Sequence, residues 1–115
     1  GTRRTRPHHA RRRRMTTRDT VLEAVSATVT AARLHSDHPG DGTRNTVTGP
    51  AAIRLRTEEG VLRGTATWPE FVGRARCTWV SLWAGDQFAD MARVSPTFLA
   101  EPGDEVTVDV AWVVE

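Results

Sequence analysis

The sequence predicts an all-β domain: an antiparallel β-sandwich (jelly-roll-like) of about six or seven strands, with one short N-terminal helix and a basic N-terminal arm. Three observations predict it. Residues 105–112 alternate strictly, with Val106, Val108, Val110 and Trp112 on one face and Glu105, Thr107, Asp109 and Ala111 on the other. That is the period of a strand with one buried face. Further short runs rich in β-branched and aromatic residues recur between turn signals, at the spacing of an antiparallel sandwich or barrel. A chain of 115 residues supports a single modest core and not two.

The elements follow in chain order. Residues 1–15 read as an Arg-rich extended arm and 16–115 as a single β-sandwich domain. Residues 1–14 hold seven Arg and no acid, and their largest aliphatic side chain is Ala10. Self-repulsion and lack of apolar surface predict a disordered segment unless a partner holds it. Met15 follows directly and is a candidate initiator, which would make the first fourteen residues an upstream extension. Residues 16–28 read as the helix: Thr20 and Glu23 have capping-box spacing, and Val21, Leu22, Val25 and Val29 share one side. The β-branched Val25, Thr28, Val29 and Thr30 signal a change to strand near Thr28, so residues 28–35 are the first predicted strand. Residues 36–49, SDHPGDGTRNTVTG, have the composition of a loop.

Beyond the loop, residues 51–56 place Ile53 and Leu55 opposite Arg54 and Arg56, and Glu58-Glu59-Gly60 makes a turn. Residues 61–68 alternate through Leu62, Gly64, Ala66 and Trp68 until Pro69 stops them. Residues 74–83 carry Cys77, Trp79, Ser81 and Trp83 on one face and Val80 and Leu82 on the other, the signature of a central strand. Ala84-Gly85-Asp86 turns the chain into a strand over residues 87–94. Pro96 is expected to break that run, leaving Phe98-Leu99 as a short segment, and Pro102-Gly103-Asp104 turns into the closing strand. Trp68, Trp79, Trp83 and Trp112 are expected to form one core, each contributing roughly 1.5–3 kcal/mol on burial. There are no internal repeats.

Charge divides the chain sharply. The formal net charge is +2, but residues 1–14 carry +7, while residues 15–115 set nine Arg against fourteen Asp and Glu. The pI of about 9.9 therefore belongs to the arm, and the acidic body is a poor candidate for nucleic-acid binding. Hydrophobic residues are 38%, low enough to leave part of the chain outside a packed core. Cys77 is the lone cysteine, which excludes an intramolecular disulfide. No run approaches 18 consecutive apolar residues. The stretch after the Arg run is interrupted by Arg18, Asp19, Glu23 and Arg33, so no secretory apolar region is present.

Few residues suggest chemistry. His35, Asp37, His38 and Asp41 offer nitrogen and oxygen ligands within one loop. Two His separated by two residues in a Gly-Pro loop do not fix a tetrahedral zinc site, and the two Asp fall short of a calcium loop. Cys77 and Ser81 are nucleophiles by residue type alone, and Cys77 lies in an apolar strand. No G-x-S-x-G, P-loop or H-E-x-x-H occurs. Glu58-Glu59 and Asp104-Glu105 flank turns, where solvated charge is the ordinary explanation. No catalytic, cofactor-binding or metal-binding residues are assigned, and no cofactor is expected. The arm is the functional candidate: Arg3, Arg4, Arg6, Arg11, Arg12, Arg13 and Arg14 suit phosphates or any acidic surface, with strong salt dependence. It has no interleaved aromatics for base stacking. The acidic body of a neighbouring copy is an equally good partner.

All sixteen basic residues are Arg, with no Lys and no Tyr, the bias of a GC-rich coding sequence in a high-GC bacterium or one of its viruses. Three segments taken in order resemble a family: Arg33-Leu34-His35-Ser36-Asp37-His38-Pro39-Gly40, Thr78-Trp79-Val80-Ser81-Leu82-Trp83-Ala84-Gly85, and Pro102-Gly103-Asp104-Glu105-Val106-Thr107-Val108. Together they are similar to small tail-fibre or minor-tail virion proteins of tailed phages infecting actinobacteria, whose loop reads roughly L-H-T-x-D-P-G. His38 stands where that family has an acidic residue before Pro-Gly. The family's later Gly-Gly-x-Tyr-x-Arg element is represented only by Val47-Thr48-Gly49-Pro50. The resemblance implies a β-sandwich that docks on other virion subunits.

The expectation is thus a non-enzymatic structural or accessory protein of a tailed bacteriophage particle, in the tail or decorating the head. It would act by multivalent protein–protein assembly with capsid or tail subunits, as a homo-oligomer. It would be made in the host cytoplasm, located in the virion and without membrane contact. The alternative is a small polyanion- or nucleic-acid-binding module using the Arg-rich arm. A third reading is a small β-domain enzyme or ligand-binder using the loop over residues 35–41.

Overall fold

A computed structural model describes residues 7–12 and 26–112. Eight strands run in order: β1 (Pro7–Arg12), β2 (Ala31–His35), β3 (Ala51–Ala52), β4 (Arg56–Glu58), β5 (Val61–Trp68), β6 (Ala75–Ala84), β7 (Gln87–Ala100) and β8 (Val106–Trp112). Two antiparallel sheets, β3-β2-β6-β7 and β8-β5-β4, form the all-β, sandwich-like fold that the alternating runs predict. β1 joins them, pairing antiparallel with β7 and parallel with β8. Residues 26–28 are helical, and the remainder of the predicted helix lies outside the described residues.

The closing strand and β5 define the core side of the small sheet. Their register sets Leu62 opposite Trp112, Gly64 opposite Val110, Ala66 opposite Val108 and Trp68 opposite Val106. All eight of these residues face inward, and Val106, Val108, Val110 and Trp112 are at most 5% exposed. β4 and β5 are joined by Glu59 and Gly60, at φ of 53° and 77°. Both residues lie in the left-handed region, as a two-residue hairpin with the twist of its strands requires.

Four expectations of the fold are corrected. Residues 51–56 are not one strand. β3 pairs with β2 and β4 with β5, and residues 53–55 cross from one sheet to the other with Ile53 and Leu55 buried. A segment that plugs the end of a sandwich alternates as a strand does, so periodicity alone does not separate the two. The crossing runs over Gly64, where a Cβ would stand 2.7 Å from the Arg54 carbonyl oxygen.

Pro96 does not break its strand, because β7 continues to Ala100. The ladder to β6 shifts register between the pairs Cys77↔Phe98 and Trp79↔Arg93. The missing N–H of Pro96 falls inside that irregularity, where no ladder bond is lost.

The third correction concerns the Trp residues, which do not share one core. Trp68 and Trp112 belong to the buried cluster between the sheets with Leu34, Val80, Leu82 and Val108. Trp79 and Trp83 point from the opposite face of β6, and Trp79 is only half-buried. The segment expected to be disordered without a partner instead supplies β1, which pairs within the chain's own sheet.

Candidate functional site

The outward face of the large sheet holds a buried polar cluster built from several elements. β2 pairs with β6 so that Arg33 lies opposite Ser81 and His35 opposite Trp79. Alternation turns Ala32 and Leu34 into the core and leaves His35 on the outward face with Ser81 and Trp83. The loop of residues 36–49 folds back along β2. Ser36 N–H donates to the Asn45 carbonyl and Val47 N–H to the Leu34 carbonyl, both at 2.9 Å. Leu34 N–H donates to Thr48 Oγ1 at 3.0 Å. Within the loop, Gly42 and Arg44 N–H both donate to the Pro39 carbonyl, and the loop buries Pro39.

His35 is the centre of the cluster. Its Nδ1 lies 2.8 Å from the Arg44 carbonyl oxygen, which can only accept, so Nδ1 carries the proton. Nε2 is then the acceptor, and the Ser81 hydroxyl donates to it at 2.7 Å. Trp83 Nε1–H in turn donates to Ser81 Oγ at 2.7 Å. One continuous chain therefore runs from the Trp83 indole through Ser81 and His35 to the backbone of the loop, and both His35 and Ser81 are 0% exposed. Desolvation lowers the His35 pKa from its ordinary value and the charge of Arg33 adds to the effect, while the Arg44 carbonyl opposes both. The ring is neutral at neutral pH. Arg33 lies over the Trp83 ring at 4.5 Å, and Phe88 meets that ring edge-on at 5.8 Å.

A serine hydroxyl 2.7 Å from an imidazole nitrogen has the spacing of a nucleophile and its base. Here the orienting group is a carbonyl, the hydroxyl oxygen is engaged on both sides, and no surface of Ser81 meets solvent. Chemically, the arrangement fastens the loop to the sheet.

The structure brings together two residues that the sequence offered separately, His35 and Ser81. It disperses the others. Asp37 Oδ1 accepts from His38 N–H at 2.7 Å. His38 Nδ1 accepts from Gly40 N–H, and the His38 ring packs edge-on against Trp79 at 4.7 Å. Asp41 Oδ1 accepts from the backbone and hydroxyl of Thr43, bonds that hold its carboxyl below the usual range. Among the described residues, no group of three or more His, Cys, Asp and Glu could hold a metal ion. Cys77 is buried, and desolvation pushes its thiol up to about 12. Asp104 is not the solvated turn charge expected. It is buried, and its Oδ2 accepts from Glu101 N–H at 2.9 Å, tying the Pro-Gly-Asp turn.

Of the arm residues, Arg11 and Arg12 fall in β1, and Arg3, Arg4, Arg6, Arg13 and Arg14 lie outside the described residues. Sequence reasoning missed Trp83 and Arg44 as members of the cluster. The alternation in residues 79–83 signals that Ser81 and Trp83 share a face, but the contribution of Arg44 is a backbone carbonyl and leaves no trace in residue type. A scan against protein-family profiles, a search of curated proteins and a search of solved structures each found no match.

Proposed function

We propose that this domain is a non-enzymatic structural or accessory component of a tailed bacteriophage particle, in its tail or decorating its head, and that it works by protein–protein assembly in many copies. The observation that carries this reading is the seam between the sheets. An extended segment, β1, lies between β7 and β8 and pairs with both through its backbone. A fold that seats an added strand between its two sheets has the means to join other chains, because backbone pairing does not depend on which chain supplies the strand. The engagement of His35 and Ser81 in holding the loop, and the burial of the Cys77 thiol, support a role without covalent chemistry. The resemblance of the three loop and turn segments to small virion proteins supports the particle.

The reading is tested by sedimentation of the full chain over a range of concentrations and by mass spectrometry of purified particles from a host carrying the gene. Self-association and presence in the particle are expected. A chain that stays monomeric at every concentration and is missing from the particles overturns the proposal.

A further inference from the structure

We infer that the slot between β7 and β8 binds residues 7–12 of a second copy, so that copies are linked by exchange of β1. The inference rests on the assembly reading above and names its contact. The first argument is topological. β7 pairs with β6, β8 pairs with β5, and the two do not pair with each other. The body therefore leaves a seam one strand wide, with unpaired backbone groups along both sides. β1 fills it over six register positions on β8, from Pro7↔Thr107 to Arg12↔Trp112, and three on β7, from His9↔Ser95 to Arg11↔Arg93.

These pairings are between backbones. Their geometry is the same whether the strand comes from the same chain or a neighbour, which is the condition for low-cost strand exchange. In this chain β1 has a single connection to the other seven strands, residues 13–30. It can leave one slot and enter another without disturbing any strand pair of the body. Charge favours the encounter. Residues 1–14 carry seven Arg and no acid, against nine Arg and fourteen acids in residues 15–115, so one copy's arm is attracted to another's body. Reciprocal exchange closes a dimer, and one-way exchange builds a ring or filament.

The register supplies the test. His9 lies opposite Ser95, so two full-length variants are prepared, His9→Cys with a mass tag and Ser95→Cys without one. They are unfolded together, refolded as a mixture, oxidised and run without reductant. The expected product is a disulfide-linked heterodimer at about twice the 12.7 kDa of one chain, absent when each variant is oxidised alone. The double variant His9→Cys/Ser95→Cys is oxidised alongside as a single chain. If it closes only on itself and the mixture gives no heterodimer, each slot holds its own strand and the inference is overturned. If neither link forms, residues 7–12 do not occupy the slot and it is equally overturned. A wild-type chain that still self-associates in either case preserves the assembly reading, so the two failures are distinguishable.

Discussion

Replacing Ser81 with Ala tests the polar chain at its midpoint. The hydroxyl is donor to His35 Nε2 and acceptor for Trp83 Nε1–H, each at 2.7 Å. The two partner residues are 0% and 5% exposed, so water does not replace it. Leaving one buried polar group unpaired costs about 1–3 kcal/mol. Two such groups, allowing for partial relaxation, bring the expected loss to about 3 kcal/mol. For a domain of this size that lowers Tm by roughly 12–24 °C. Urea denaturation at pH 7.5, followed by Trp fluorescence, measures it.

The same variant has a signature in acid. Burial lowers the His35 pKa below its ordinary 6.5. Between the ordinary value and the lowered native one, the unfolded chain takes up a proton that the folded chain does not. Wild-type stability is therefore fully present above pH 6.5 and falls as pH drops through that window. The Ser81 hydroxyl donates to the nitrogen that would be protonated, so it helps hold the ring neutral. Without it the native pKa rises and the acid-side loss becomes shallower. A Ser81→Ala chain within about 0.5 kcal/mol of wild type at pH 7.5, the range of an ordinary surface change, would falsify the assignment.

Three further outcomes are expected. Gly42→Ala places a Cβ 2.4 Å from Phe88 Cδ1 at a φ of +100°. It should loosen residues 36–49 at a cost of about 1–3 kcal/mol, read as faster proteolysis confined to that loop. Gly64→Ala drives a Cβ to 2.7 Å from the Arg54 carbonyl and 2.9 Å from Leu55. Backbone stands in its way, so global stability should fall by about 2 kcal/mol or more in the same urea assay. Cys77, with its thiol pushed up to about 12, should resist iodoacetamide in the native state at pH 8 and react once urea unfolds the chain. Its linkage has the opposite sign to that of His35. The folded pKa is raised, so the contribution is present below the ordinary value of 9.0 and is lost as pH climbs from there toward 12.

How much was legible depended on whether a residue's role is set locally. β5 runs over Val61–Trp68, the bounds its alternation and Pro69 predict, and β8 starts one residue inside its predicted run. Both pair along their whole length, so pattern and structure coincide. Residues 51–56 failed because burial of Ile53 and Leu55 demands alternation whether the chain pairs or crosses. Pro96 failed because its cost depends on the partner strand, and β6 shifts register opposite it. Trp79, Ser81 and Trp83 share one face of β6, as their alternation predicts, but Cys77, expected with them, lies in the core because the ladder shifts register between Cys77 and Trp79. That face does not form the core, because Val80 and Leu82 occupy the interior. Of the candidate site, residue type offered His35 and Ser81, but their meeting across 46 positions follows from register between β2 and β6, which no local signal fixes.

The distribution of surface chemistry bears on how such a domain could join others. Among the described residues, Val72 is the exposed large hydrophobic, at 94%, so no apolar patch of the kind that drives face-to-face association stands out. Residues 36–49 lie against part of the outward face of the large sheet, tied there through His35. The outward face of the small sheet carries a polar ladder, with Thr65 Oγ1 donating to Asp109 at 2.9 Å and the Thr67 and Thr107 hydroxyls 3.2 Å apart. Those groups already satisfy one another, and burying them against a partner would cost desolvation with little apolar gain. Backbone pairing offers the other route, and the seam between β7 and β8, which β1 occupies, is where a strand from a second copy would enter. An interface built there depends on salt at the encounter, which charge steers. Once formed it depends on salt far less, because its bonds are between neutral amides.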